Sequence, residues 1–220
     1  MNKIPVWDLP TRIVHWTLVI CCAGLFASGD SERWRDLHGW LGYTWLGLLG
    51  FRLLWGFAGT RHARFADFVR GPRAVLTYLS TLLQARPQHH AGHNPAGGWA
   101  ILALLGSGLG AGLTGWLLDL ETGGDWFEEL HEGFANLLLA VLLVHVAGVL
   151  ISSLLHRENL VRSMITGRKL GWPEERNERS HRLLGVLILL AVLGAWSFAL
   201  GGSGRMPALW SHPALTETDD

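Results

Sequence analysis

Four histidines lie within or at the ends of long apolar segments of this 220-residue sequence: His15, His38, His131 and His145. An ionisable side chain inside a membrane segment is costly, and it therefore suggests a functional role. Neutral imidazole is a good ligand for iron, and two imidazoles close both axial positions of a haem iron. That arrangement suits electron transfer rather than oxygen binding. These four histidines are therefore candidates for holding haem.

The spacing of His131 and His145 predicts how the histidines combine. Fourteen residues of α-helix turn through about 1400°, within about 40° of four whole turns, and rise about 21 Å. Both rings should therefore face one way at two depths. His38 shares the predicted depth of His131, and His15 shares that of His145, so two pairs across helices are expected. Taken singly, these residues could equally be interfacial histidines at helix ends, with His145 a single core histidine.

Arg52 follows His38 by the same interval of fourteen residues. It should therefore face the same way as His38, at the depth of the pair nearer the inner surface. A buried arginine requires a partner, and a haem propionate is one candidate. The alternative is a side chain near the end of its span that reaches up to the lipid headgroups.

Five apolar segments are close to the length of about 20 residues that a membrane helix needs. Apolar residues make up 49% of the sequence and charged residues only 16%, so five buried helices of a soluble protein would lack polar surface to cover them. The sequence predicts an all-α integral membrane protein, a four-helix bundle that binds two haems, plus a fifth transmembrane helix. The predicted spans are residues 13–28, 37–58, 99–118, 134–155 and 183–200.

The charges between these spans predict the orientation of the chain, because lysine and arginine concentrate on the cytoplasmic side of a membrane. Alternating topology puts every basic segment on one side and the acidic connection between the third and fourth spans on the other. The N-terminus should be inside and the C-terminus outside. A net charge of zero gives no support for a nucleic-acid partner. The basic residues of the segments predicted to be inside are Lys3, Arg12, Arg61, Arg64, Arg70, Arg73, Arg86, Arg157, Arg162, Arg168, Lys169, Arg176, Arg179 and Arg182, and the connection between the third and fourth spans contains Asp119, Glu121, Asp125, Glu128 and Glu129.

Other features carry weaker predictions. His89, His90 and His93 cluster between the second and third spans, where a solvated loop is expected and a metal site is the alternative. His212 lies in the polar tail and suggests no role. Residues 75–83 could form an amphipathic helix at the membrane surface. The sequence has no Cys-x-x-Cys-His motif, which excludes covalent attachment of haem.

A set of short motifs resembles a known family. The sequence contains Val6-Trp7-Asp8 followed by Arg12 and His15-Trp16, then His38-Gly39, the run from Phe51 to Gly56, Ala63-Arg64-Phe65 with Phe68, and His131-Glu132 with His145. Over residues 5–170 these motifs resemble the bacterial cytochrome b561 family, which includes the b-type cytochrome subunit of nickel-iron hydrogenases. The resemblance implies two haem b groups, one held by His15 with His145 and the other by His38 with His131. It also implies a four-helix membrane domain over residues 1–170. Residues 171–220, with the predicted fifth helix and an outer tail, depart from the shortest members of the family.

Together these observations predict a cytochrome of the bacterial inner membrane that transfers electrons across it. The expected partners are membrane lipid, the quinone pool and a redox protein on the outer face such as a periplasmic c-type cytochrome. One alternative is a stand-alone quinone oxidoreductase that acts on superoxide or another small molecule. A second is the membrane cytochrome subunit of a hydrogenase or dehydrogenase, and a third is a structural anchor without redox function. The acidic outer loop could steer a basic partner or simply be solvated.

Overall fold

The computed structural model describes residues 2–84, 88–120 and 124–201. Arg86, Glu121 and the C-terminal tail from residue 202, including His212, lie outside the described residues. The described part is mostly helical, with four long apolar helices among its elements. In chain order these elements are β1 (Asn2–Pro5), α1 (Leu9–Ser28), α2 (Arg35–Ala58), α3 (Phe65–Phe68), α4 (Pro72–Leu83), α5 (Pro95–Asp119), α6 (Trp126–Leu155), α7 (Leu160–Thr166), β2 (Arg168–Gly171) and α8 (Arg182–Gly201).

Two of the long helices begin before their apolar runs because a cap fixes the first turn. The Asp8 carboxylate accepts a hydrogen bond of 2.8 Å from the Thr11 amide, and Pro10 lies in the first turn of α1. The Asn94 side chain accepts one of 2.7 Å from the Gly97 amide at the start of α5. Such caps satisfy amide groups that have no partner within the helix. Both helices therefore start four residues before the predicted spans.

The long helices pack in the order α6, α5, α2, α1 and α8. Between α2 and α5, the Trp45 indole nitrogen donates a hydrogen bond of 3.0 Å to the Gly108 carbonyl oxygen. A Cβ atom at Gly108 would lie 2.9 Å from the Trp45 ring, so this close approach requires glycine. Within the described residues, α6 packs mainly against α5 and makes few backbone contacts with α1 or α2.

Four of the five predicted spans are confirmed as helices that are long and apolar enough to cross a membrane: α1, α5, α6 and α8. The helix α2 has 24 residues and thus the length, but its polar and charged residues make it less apolar. The exposed apolar side chains on α6 and α8 are mostly leucine, valine and isoleucine, with Trp126 and Phe198 among them, as suits a lipid-facing surface.

The structure contains a small two-stranded sheet that the all-α prediction did not include. Strand β1 pairs with β2 in antiparallel fashion, with Lys3 opposite Leu170 and Ile4 opposite Lys169. Ile4 is almost fully buried. The sheet therefore joins the N-terminus to the segment between α6 and α8, at the end of the bundle that carries most basic residues. We call this end the basic end and the opposite one the acidic end.

The predicted amphipathic helix corresponds to α4. Its Tyr78 side chain is 1% exposed and faces the protein, while Leu76 and Leu79 face outwards. The helix contacts α5. Its position at a membrane surface stays a prediction.

Candidate functional site

The structure brings His38 of α2 and His131 of α6 together near the acidic end. Their ring centres are 6.2 Å apart and the ring planes are inclined at 73°. Two imidazole nitrogens that share one metal ion lie about 4 Å apart, twice a metal–nitrogen bond, which puts the ring centres about 6 Å apart. The observed separation is therefore that of two histidines able to hold one iron between them.

Hydrogen bonds fix the same tautomer on both rings. The His38 Nδ1 atom lies 3.1 Å from the Ser28 hydroxyl oxygen, and that hydroxyl donates its own hydrogen to the Gly24 carbonyl oxygen at 2.7 Å. The His131 Nδ1 atom lies 2.9 Å from the Ala111 carbonyl oxygen, which can only accept. Nδ1 is therefore the protonated nitrogen on each ring, and Nε2 keeps the lone pair that binds a metal.

The space around these histidines fits a flat macrocycle. A Cβ atom at Gly115 of α5 would lie 2.9 Å from the His131 ring, so glycine there leaves room for the imidazole. Gly42 follows His38 by one helical turn, and Gly148 follows the second histidine of α6 by three residues. A Cβ atom at either glycine would meet no atom within 4 Å. The faces that carry the histidines therefore have open volume beside them.

The second predicted pair, His15 and His145, lies nearer the basic end. His15 of α1 and His145 of α6 are close enough for their charges to interact. The His15 ring packs edge-on against Trp16 at 5.2 Å. Its Nδ1 atom is buried and has no hydrogen-bond partner in the described part of the chain. A buried polar atom without a partner is costly. The described residues therefore leave the hydrogen-bonding capacity of this atom unused.

Arg52 lies inside the protein rather than at its surface. Its side chain is 8% exposed, and the centre of the guanidinium group is 5.3 Å from the Phe65 ring and 6.0 Å from the Phe68 ring. Its charge interacts with that of Asp8. The Nη1 atom is buried without a hydrogen-bond partner among residues 2–84, 88–120 and 124–201. This burial argues against a side chain that reaches up to the headgroups.

Asp8 is an organising residue that sequence reasoning missed. Its side chain is 2% exposed and caps α1. It also accepts hydrogen bonds from the Trp55 indole at 3.1 Å and from the Thr60 hydroxyl at 2.6 Å. The carboxylate therefore joins the start of α1 to the end of α2, below Arg52. The capping pattern before Pro10 was the one sequence signal for this role.

The surroundings of His93 differ from the predicted solvated loop. Its ring centre lies 4.6 Å from that of Trp7 and 4.7 Å from that of Phe68. Its Nδ1 atom is buried and unpartnered within the described residues. Burial lowers the pKa of His93 well below its usual value, and the nearby charge of Arg52 lowers it further. No group of three or more metal-ligating side chains occurs in the described chain, so the alternative of a metal site among His89, His90 and His93 gains no support.

Comparison with known proteins agrees with the resemblance of the motifs. Residues 6–167 match the family model for prokaryotic cytochrome b561. A probable Ni/Fe-hydrogenase B-type cytochrome subunit from Rhizobium leguminosarum bv. viciae is 24% identical over 215 residues, covering 77% of this chain and 90% of that protein. A protein of the same name from Cupriavidus necator is 24% identical over 208 residues, covering 74% and 85%. No solved structure gives a significant match. Since the family match spans most of the sequence and includes all four histidines, the chain belongs to the prokaryotic cytochrome b561 family.

Proposed function

We propose that this protein is a di-haem b-type cytochrome that transfers electrons across the bacterial inner membrane, between the quinone pool and a redox partner on the outer face. The observation that carries the proposal is the 6.2 Å separation between the ring centres of His38 and His131, and the proposed second pair is His15 with His145. His38 and His131 support it most directly, because their separation and their tautomers suit a shared iron.

In this proposal His38 and His131 hold the haem near the acidic end, and His15 and His145 hold the haem near the basic end. We call these the outer and inner haems. When bound, haem b supplies a one-electron iron couple. The two pairs of histidines would hold the haems, and the protein's contribution would be to orient each group, to exclude water and to set its potential.

An open groove supports the quinone part of the proposal. It has a volume of about 580 Å³ and lies between α2, α3 and α5, with Phe57, Phe65, Leu105 and Gly106 among its lining residues. The lining is almost wholly apolar, as the isoprenoid tail of a quinone requires. Phe65 lies between this groove and the Arg52 guanidinium. A quinone that entered here would therefore be close to the proposed inner haem.

The two curated relatives favour one reading of the partner. Both are named as hydrogenase cytochrome subunits, so a membrane cytochrome that works with a larger redox protein fits better than a stand-alone superoxide oxidoreductase. A basic c-type cytochrome remains the alternative partner. The exposed Glu128 and Glu129 at the start of α6 could attract one. We also propose that residues 1–170 form the di-haem domain and that α8 with the outer tail is an addition to it.

Haem content and assignment test the proposal. The full chain, purified in detergent, should give a reduced-minus-oxidised spectrum of b-type haem with two haems per chain. His131→Ala should remove the outer haem and His145→Ala the inner one, each leaving one haem per chain. His89→Ala is the matched control, because His89 lies on the loop before α5, and it should leave both haems in place.

The outcomes separate the rival readings. A colourless protein would indicate a structural anchor without redox function. Loss of the same haem from both variants of α6 would contradict the pairing at two levels. Reduction of both haems by a ubiquinol or menaquinol analogue would support the quinone assignment, and reduction only by a superoxide source would support the stand-alone oxidoreductase.

A further inference from the structure

Two buried nitrogen atoms without partners lie near each other at the basic end. They are Nη1 of Arg52 and Nδ1 of His93, and neither has a hydrogen-bond partner in the described part of the chain. Both side chains pack on Phe68, with Arg52 6.0 Å and His93 4.7 Å from its ring. The charges of Arg52 and of His145 both influence His93. His93 is therefore in the same region of the protein as the histidine that the inner haem would use.

Two arginines in this region share one carboxylate. Asp8 interacts electrostatically with both Arg12 and Arg52. Its oxygens already accept hydrogen bonds from Thr11, Trp55 and Thr60. Lys169 is also near His93, but its charge interacts with those of Glu158 and Glu175. Buried charges are stable only when they are paired, so an additional negative group is expected here.

We propose that Arg52 and His93 form a carboxylate-binding site at the basic end, and that a propionate of the inner haem is the carboxylate it binds. The inference rests on the proposed function, since it assumes that His15 and His145 hold a haem. Arg52 supplies a charged donor, and His93 supplies a second donor when its Nδ1 atom is protonated. The two propionates of this haem would then point towards the cytoplasm.

The aromatic surroundings make the site rigid. Phe65 and Phe68 lie against the guanidinium group, and Trp7 and Phe68 both contact the His93 ring. Neither donor can turn to solvent without losing these contacts. A carboxylate that enters the site would therefore meet donors that are already oriented, in a region of low dielectric where charge-assisted hydrogen bonds are strong.

Substitution of His93 in the full-length protein tests the inference. His93→Phe keeps an aromatic ring in contact with Trp7 and Phe68 but removes the N–H donor. His93→Asn keeps a donor near the position of Nδ1. We expect His93→Phe to release the inner haem to apomyoglobin roughly tenfold faster, since a hydrogen bond to a charged group contributes about that factor or more. The inner-haem midpoint potential should fall, because less of the propionate charge is compensated. His93→Asn should stay close to the unsubstituted protein on both measurements.

Control variants and a coupling measurement make the result specific. His90→Phe makes the same substitution on the same loop, where the ring contacts Tyr78, and should change neither measurement. If both donors bind one carboxylate, the effect of His93→Phe should be smaller in an Arg52→Gln background than alone. Equal effects in the two backgrounds, or equal effects of Phe and Asn at position 93, would overturn the inference.

Added inorganic phosphate distinguishes a propionate from a free anion. If the site binds a free anion, phosphate should shift the inner-haem potential of the unsubstituted protein but not that of His93→Phe, and haem release should be equal in both. That result would overturn the propionate assignment. An unsubstituted protein that contained no inner haem would instead contradict the proposed function itself.

Discussion

At the scale of single residues, the two histidines of the outer pair are held in place by different kinds of acceptor. His131 donates to the backbone carbonyl oxygen of Ala111, which no substitution removes. His38 donates to the hydroxyl of Ser28, a side chain that can be deleted. Such outer contacts fix the tautomer and orientation of a ligating imidazole. Substitution of Ser28 can therefore test whether this hydrogen bond fixes the tautomer of His38.

Ser28→Ala should weaken binding of the outer haem while leaving the inner haem unchanged. Loss of a hydrogen bond to a ligating histidine typically costs about 10–100-fold in metal affinity, so release of the outer haem to apomyoglobin should accelerate by roughly tenfold or more. The outer-haem potential, followed by redox titration, should also shift because the ring loses the acceptor that raises its basicity.

Ser107→Ala provides the matched control for this change. The Ser107 hydroxyl donates to the Ala103 carbonyl oxygen within α5 at 2.7 Å and is as buried as that of Ser28. Release of both haems should be unaffected by it. Equal loss of outer haem from the two variants would mean that Ser28 contributes through helix packing and not through His38.

At the scale of helices, the position of His131 depends on how closely α5 approaches α6. Gly115 of α5 faces the imidazole directly, and a Cβ atom there would lie 2.9 Å from its Cε1 atom. Gly106, also on α5, has open space where its Cβ atom would be. The two glycines therefore differ in function although both belong to the same glycine-rich run. Only the approach at Gly115 positions a candidate ligand.

Gly115→Ala should displace the His131 ring and reduce the content of outer haem, whereas Gly106→Ala should not. Ligating groups must be held to within about 0.5 Å of their working position, and the added methyl group requires a shift of that order. Haem per chain and the spectrum of the remaining haem measure the effect. Retention of both haems at full occupancy in Gly115→Ala would show that α5 and α6 can separate without cost.

The elements that follow from local sequence were predictable, and those that depend on distant contacts were not. Apolar runs predicted the long helices, while their starts at Leu9 and Pro95 depended on caps outside those runs. The four histidines were found from spacing and topology. His93 was predicted to be solvated because the residues next to it in the sequence give no sign of burial. Its ring contacts come from Trp7 and Phe68, which are distant along the chain. Strand β1 was missed for the same reason, since its partner lies more than 160 residues away.

At the scale of the whole molecule, three separate segments meet at the basic end. The β1–β2 pairing joins the N-terminus to residues 168–171. The Lys169 side chain donates to the His90 carbonyl oxygen at 2.6 Å, and the Arg61 guanidinium donates to that of Glu174 at 2.9 Å. The loop between α2 and α5 therefore lies on the same side as the N-terminus. Burial lowers the pKa of Lys169, which is consistent with its place inside this junction.

This junction supports the proposal that α2 crosses the membrane although it is less apolar than the other long helices. If α1 crossed and α2 did not, residues 59–94 would lie on the opposite side from the N-terminus, away from their contacts with it. Besides Arg35 and Asp36 in its exposed first turn, α2 carries His38 and Arg52, which are the residues proposed to serve the haems. Their burial in the bundle removes most of the cost of placing them in a span.

Labelling of introduced cysteines would test this topology in intact cells. Arg33 precedes α2 and Arg73 follows it, both are exposed, and the native Cys21 and Cys22 are buried and should not react. With the outer membrane permeabilised, a maleimide that cannot cross the inner membrane should label Arg33→Cys but not Arg73→Cys. Arg73→Cys should become reactive only after the inner membrane is opened. If α2 does not cross, the two positions lie on one side and should react together. Labelling of Arg73→Cys alone would instead show that the protein has the opposite orientation in the membrane. The carboxylate site of Arg52 and His93 would then face the periplasm.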